Sequence, residues 1–75
     1  MDWREHVAID PAVCPGQACI KGTRIMVAVV LDNLAAGLAT DEILRSYPSL
    51  TAEDVRAPLA YGAEVVRKRL GPLGA

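Results

Sequence analysis

Gly37, Pro48 and the Gly71-Pro72 pair cut the latter part of this chain into short segments, and each segment carries the apolar spacing of a helix. Val27, Val30, Leu31, Leu34 and Leu38 fall at i, i+3, i+4, i+7 and i+11, which places them on one helical face. Gly37 is a natural stop, so the spacing predicts a first helix over about Val27 to Ala36. Thr40 is a candidate N-cap for a short second helix, with Asp41 and Glu42 in its positive first turn and Ile43, Leu44 and Tyr47 facing inward. Pro48 ends that helix because the residue before a proline is driven out of the helical region.

A third helix is predicted from Ala52, capped by Thr51 with Asp54 three residues on, an approximation to a capping box. Its predicted inward stripe is Val55, Leu59, Gly62, Val66 and Leu70. Pro58 interrupts it. A proline in a regular helix interior costs on the order of 3 kcal/mol, so a kink near Arg56–Pro58, or a restart at Pro58, is expected.

Ahead of the helices the signals change period. Residues 7–9, Val-Ala-Ile, read as a short strand broken by Asp10-Pro11. Pro15-Gly16 marks a turn, and Cys19-Ile20 and Arg24-Ile25 read as short strands or extended arms about Gly22. The whole is one domain, 1–75: a strand-rich arm over 7–26, a helical bundle over 27–70 and a tail over 71–75. The fold class is mainly α, three helices behind a short N-terminal β-hairpin, with the second and third helices joined as a helix-turn-helix. With 52% apolar residues and no phenylalanine the core must be aliphatic, and a chain of 75 residues is near the lower limit for folding without a partner.

Chemistry is sparse. One histidine, His6, sits in an N-terminal segment that reads as mobile and solvated. There is no Ser-His-Asp set, no phosphate loop and no helical pair of carboxylates on an apolar face; Asp32, Asp41 and Glu42 have simpler roles as surface or helix-start charges. No catalytic residue, metal site, cofactor or small-molecule substrate is expected. Cys14 and Cys19, in Cys-Pro-Gly-Gln-Ala-Cys, lack the further ligands that zinc requires. The turn between them could bring the thiols together, but a reducing cytosol leaves the expectation at two reduced thiols. No run approaches the roughly 18 apolar residues of a membrane span, and the first residues have no signal-peptide character, so a cytoplasmic protein is expected.

Binding remains. In a helix-turn-helix the third helix enters the major groove by its N-terminal end. Here that end offers Thr51, Arg56 and, eleven residues on along nearly the same line, Arg67, but Glu53 and Asp54 would repel phosphate. The alternative is a solvated, self-paired face, with Glu53–Arg56 and Glu64–Lys68 each stabilising by about 0.2–0.5 kcal/mol. A net charge of −1 argues against strong non-specific DNA affinity. The cluster Lys21-Gly22-Thr23-Arg24 is open to two readings: an arm that touches phosphates or a partner's carboxylates, or a hairpin loop whose arginine braces the fold.

The run Gly16 to Ile25, with Gly22-Thr23-Arg24-Ile25, together with Ala36-Gly37-Leu38, Glu42-Ile43-Leu44 and Tyr47-Pro48-Ser49-Leu50-Thr51, resembles the domain-of-unknown-function 433 family. Met26 stands where that family often carries proline, which implies a less sharp start to the first helix. The resemblance implies a homeodomain-like helix-turn-helix protein of the VapB-like antitoxin type. Such a protein neutralises a PIN-like nuclease toxin and represses its own operator as a homodimer. Among the family's marked positions, which include Gly16, Gly22, Gly37, Tyr47, Pro48, Leu50 and Thr51, the implied contacts are Thr23 and Arg24; Lys21, Arg45, Thr51, Arg56 and Arg67 are candidate DNA- or partner-binding residues by their own charge and placement. A stand-alone DNA-binding regulator and a pure dimerisation domain, paired through its strand edges, are the alternatives.

Overall fold

The structure is a computed structural model that describes residues 1–12, 14 and 16–70, without the side chains of 69 and 70. A 3-10 turn, Trp3–Glu5, leads into strand β1 (Val7–Ala8) and strand β2 (Cys19–Ile20), followed by helices α1 (Val27–Ala35), α2 (Thr40–Ser46) and α3 (Ala52–Leu70). The strands pair antiparallel, Val7 with Ile20 and Ala8 with Cys19. The fold is therefore mainly helical with a short N-terminal hairpin, as the periodicity requires; the tail at 71–75 lies outside the described residues.

The core is aliphatic. Val7 and Ile20 from the hairpin, Val27 and Val30 from α1, Ile43 from α2, and Leu50, Val55 and Ala57 around the start of α3 are all buried together. Leu31, Leu34, Leu38, Leu44 and Tyr47 pack half-buried against them. Met26 does not blur the start of α1. The Val27 N–H donates to Ala18 O at 3.0 Å, so the arm fixes where the helix begins. Gly37 ends α1 at φ +94°, a backbone setting that side chains oppose. Thr40 is not the cap of α2 but its first residue. Ala39 holds the cap position, and Glu42 Oε1 reaches back to accept from the Ala39 N–H at 2.8 Å.

Helix α3 runs unbroken through Pro58, so no restart occurs there. The proline ring is fully buried, and its packing offsets the lost backbone bond. That burial also rotates the helix relative to the predicted stripe. Val55 faces the core, and beyond it Ala57 and Pro58 are buried and Tyr61 packs half-buried against the core. Leu59 and Val66 point away, 51% and 55% exposed. The Leu70 side chain lies outside the described residues.

Two features of the arm differ from expectation. The N-terminal segment is not free: Trp3 meets Tyr61 of α3 edge-on, with ring centroids 4.8 Å apart, and Arg4 lies over the Trp3 ring at 4.5 Å. His6 is correspondingly not solvated. Its Nδ1 sits 3.0 Å from Asp54 Oδ1, with both side chains mostly covered. The two cysteines are not free thiols but a disulfide, Cys14–Cys19. Gly16 at φ +78° and a bond from the Gln17 N–H to Cys14 O turn the chain and bring the two Cα atoms to 6.2 Å, within disulfide reach.

Candidate functional site

Beyond β2 the chain makes a tight turn through Lys21-Gly22-Thr23. Gly22 adopts φ +82° with open space where a Cβ would stand, so glycine is required there for its backbone and not for room. Thr23 closes the turn three times. Its N–H donates to Ile20 O at 3.0 Å, its hydroxyl donates to the same oxygen at 2.8 Å, and Oγ1 accepts from the Ile25 N–H at 3.0 Å. The Ile20 N–H then donates to Ile25 O at 2.8 Å. Lys21 is tied inward, its Nζ donating to Arg4 O at 2.9 Å and its backbone N–H to His6 O at 2.7 Å.

The turn thus consumes Thr23 and Lys21 and leaves Arg24. Arg24 is exposed and makes no ion pair or side-chain hydrogen bond among the described residues. It borders an open groove of about 580 Å³ lined by Ala8, Asp10, Lys21, Gly22, Thr23 and Arg24. An arginine on a pre-formed turn offers a planar donor fork suited to a carboxylate or a phosphate, at little ordering cost to the backbone beneath it.

The other candidates are scattered over the helices. Arg45 lies on α2 in an exposed pair with Asp41 at 3.9 Å, worth little in stability. Thr51 caps α3: its Oγ1 accepts from the Asp54 N–H at 3.2 Å, and its own N–H donates to Asp54 Oδ2 at 3.0 Å, completing the capping box. Arg56 and Arg67 are exposed on the outer side of α3, alongside Leu59 and Val66. The expected Glu53–Arg56 and Glu64–Lys68 pairs do not form. Glu64 turns instead to Arg4 at 3.3 Å. The site residues therefore fall into a basic turn on the arm and a mixed apolar and basic face on α3. Leu59 and Val66 were missed as surface residues because their apolar spacing continues the stripe that Val55 begins, and only the burial of Pro58 in the structure shows that the inward face shifts.

A protein-family profile described as "Protein of unknown function (DUF433)" matches residues 7–62. The chain belongs to the DUF433 family. Among curated proteins, this DUF433 chain is similar to an uncharacterized protein, y4eO, of Sinorhizobium fredii (strain NBRC 101917 / NGR234), with 36% identity over 58 residues. The match covers 77% of this chain and 26% of the relative, so the chain spans about a quarter of that protein's length. No solved structure matches. No described helix is long and apolar enough to cross a membrane.

Proposed function

We propose that this domain acts by binding, as an antitoxin-type regulator that neutralises a PIN-like nuclease and contacts its own operator. The observation that supports this reading is Arg24. It stands outward on a turn fixed by Gly22 and Thr23, with no internal partner among the described residues. A metal-dependent nuclease gathers carboxylates around its ions, and a guanidinium on a rigid turn competes for them by bidentate, charge-assisted bonds. The test is co-expression with the nuclease-like product of the neighbouring reading frame. The wild-type domain restores growth and Arg24→Ala restores it less. A neighbouring frame that encodes no nuclease, or toxicity that the domain leaves untouched, overturns the proposal.

A second reading, a stand-alone DNA-binding regulator, draws on Arg56 and Arg67, which α3 presents without the glutamate partners their spacing offers. Operator affinity would then fall steeply with salt, since each neutralised phosphate releases counterions. Binding that is absent or insensitive to salt removes this reading.

A further inference from the structure

Ala52, Arg56, Leu59, Ala63 and Val66 recur along α3 at alternating spacings of four and three, and all five are exposed. That is the spacing of a helix–helix seam, laid on the side of α3 opposite Pro58 and Tyr61, which face the core. Two of its members, Leu59 and Val66, are large apolar side chains left half in water. The two alanines would let a second helix approach closely. Charge flanks the seam on one side: Glu53 and Arg67 occupy equivalent positions one residue past Ala52 and Val66, fourteen residues apart, and both are exposed.

We infer that this face is the seam of a homodimer in which α3 packs antiparallel against α3 of a second copy. The charges select both the occupant and the direction. Antiparallel pairing about a two-fold axis near Tyr61 sets Leu59 against the partner's Ala63 and Arg56 against the partner's Val66. It also brings Glu53 beside the partner's Arg67, and by symmetry Arg67 beside the partner's Glu53. The Arg56 stem covers the partner's Val66 while its guanidinium reaches water. Parallel pairing fails on the same residues, because it stacks Arg56 on the partner's Arg56 and separates Glu53 from Arg67. The strand edges are a poorer seam. Each strand has two residues, and the outer edge of β2 is already occupied by Met26 and Ile25. The dimer is independent of the nuclease reading, which rests on the arm turn, and it excludes the DNA reading through Arg56 and Arg67, which the seam engages.

The test is sedimentation equilibrium of the purified 75-residue chain from about 1 µM to about 1 mM, a range suited to the small interface that a single helix pair buries. The expected result is a reversible monomer–dimer equilibrium. Leu59→Glu weakens it at least about tenfold, and because Leu59 is exposed its circular dichroism stays that of the folded domain. Glu53→Arg and Arg67→Glu each weaken the dimer by about fivefold to tenfold, since each places like charges together twice. The double variant E53R/R67E returns it to within about threefold of wild type, which no structural defect would do. A strict monomer over the whole range overturns the inference, as does a double variant as weak as either single one. If the chain is monomeric and Leu59→Glu instead abolishes nuclease binding, the face belongs to that partner and not to a second copy.

Discussion

Trp3→Ala probes the contact that most separates this fold from a three-helix bundle with a loose leader. Trp3 is the chain's single tryptophan, half-buried against α3, and its ring meets Tyr61 edge-on at 4.8 Å. A fully buried aromatic removes about 150–250 Å² from water. Half of that, at about 25 cal/mol per Å², is about 2.5 kcal/mol, and the edge-on pair adds about 0.5–1.5 kcal/mol. Ordering the first residues of the chain opposes this, so the net loss on truncation is about 2 kcal/mol. A domain of this size has roughly 4–11 kcal/mol in total, so the loss is a large fraction of it.

The assay is urea denaturation followed by circular dichroism, with the wild type followed in parallel by tryptophan fluorescence. Trp3→Ala lowers the midpoint without changing the slope, and it lowers the melting temperature by about 8–16 °C. In the wild type the fluorescence and dichroism transitions coincide, because Trp3 leaves its site only when α3 unfolds. Arg4→Ala costs well under 1 kcal/mol, because its ion pair and its contact with the Trp3 ring are largely exposed. A Trp3→Ala variant within about 0.5 kcal/mol of wild type, or a fluorescence change that precedes the loss of helix, would mean that the Trp3 contact stabilises nothing. The N-terminal segment would then be a frayed end.

Other substitutions test separate links. Asp54→Ala removes both the acceptor for the Thr51 N–H and the partner of His6, and costs about 2 kcal/mol, whereas Thr51→Ala loses the cap alone and costs about 1 kcal/mol. Equal losses in chemical denaturation would mean that the His6 contact stabilises nothing. Reducing Cys14–Cys19 opens a loop closed over a sequence separation of 5 and lowers stability by about 2 kcal/mol, seen as a drop in melting temperature on adding a thiol reductant. Native protein that reacts at once with a thiol reagent would show instead that the bond is absent.

The sequence made the helices legible because their limits are chemical. Gly37 supplies a positive φ, Pro48 forbids a preceding helical residue, and Thr51 with Asp54 forms a reciprocal cap. The start of α1 falls at Val27 as the spacing predicts, but its cause is not local: Met26 has no capping side chain, and Ala18 supplies the acceptor from the arm. The phase of α3 was obscured by Pro58. A proline reads as a breaker, yet here it is one of the most buried side chains, and placing it inward turns Leu59 and Val66 out. The N-terminal clamp was illegible for another reason. Contacts such as His6 with Asp54 span 48 residues, and no spacing rule reaches that far. Lys21, Thr23 and Arg24 form one basic cluster in the sequence, and only the turn's hydrogen bonds divide them into two that hold the fold and one that faces out.

A titration of the nuclease-like product of the neighbouring reading frame with the purified domain, read as nucleic-acid cleavage, tests the proposed binding through Arg24. Saturable inhibition by the wild type is expected, weakened by about 10–100-fold in Arg24→Ala through the loss of a charge-assisted contact. The melting temperature should be unchanged, since the side chain has no internal partner among the described residues. Equal inhibition by the two proteins, or none by the wild type, would contradict it.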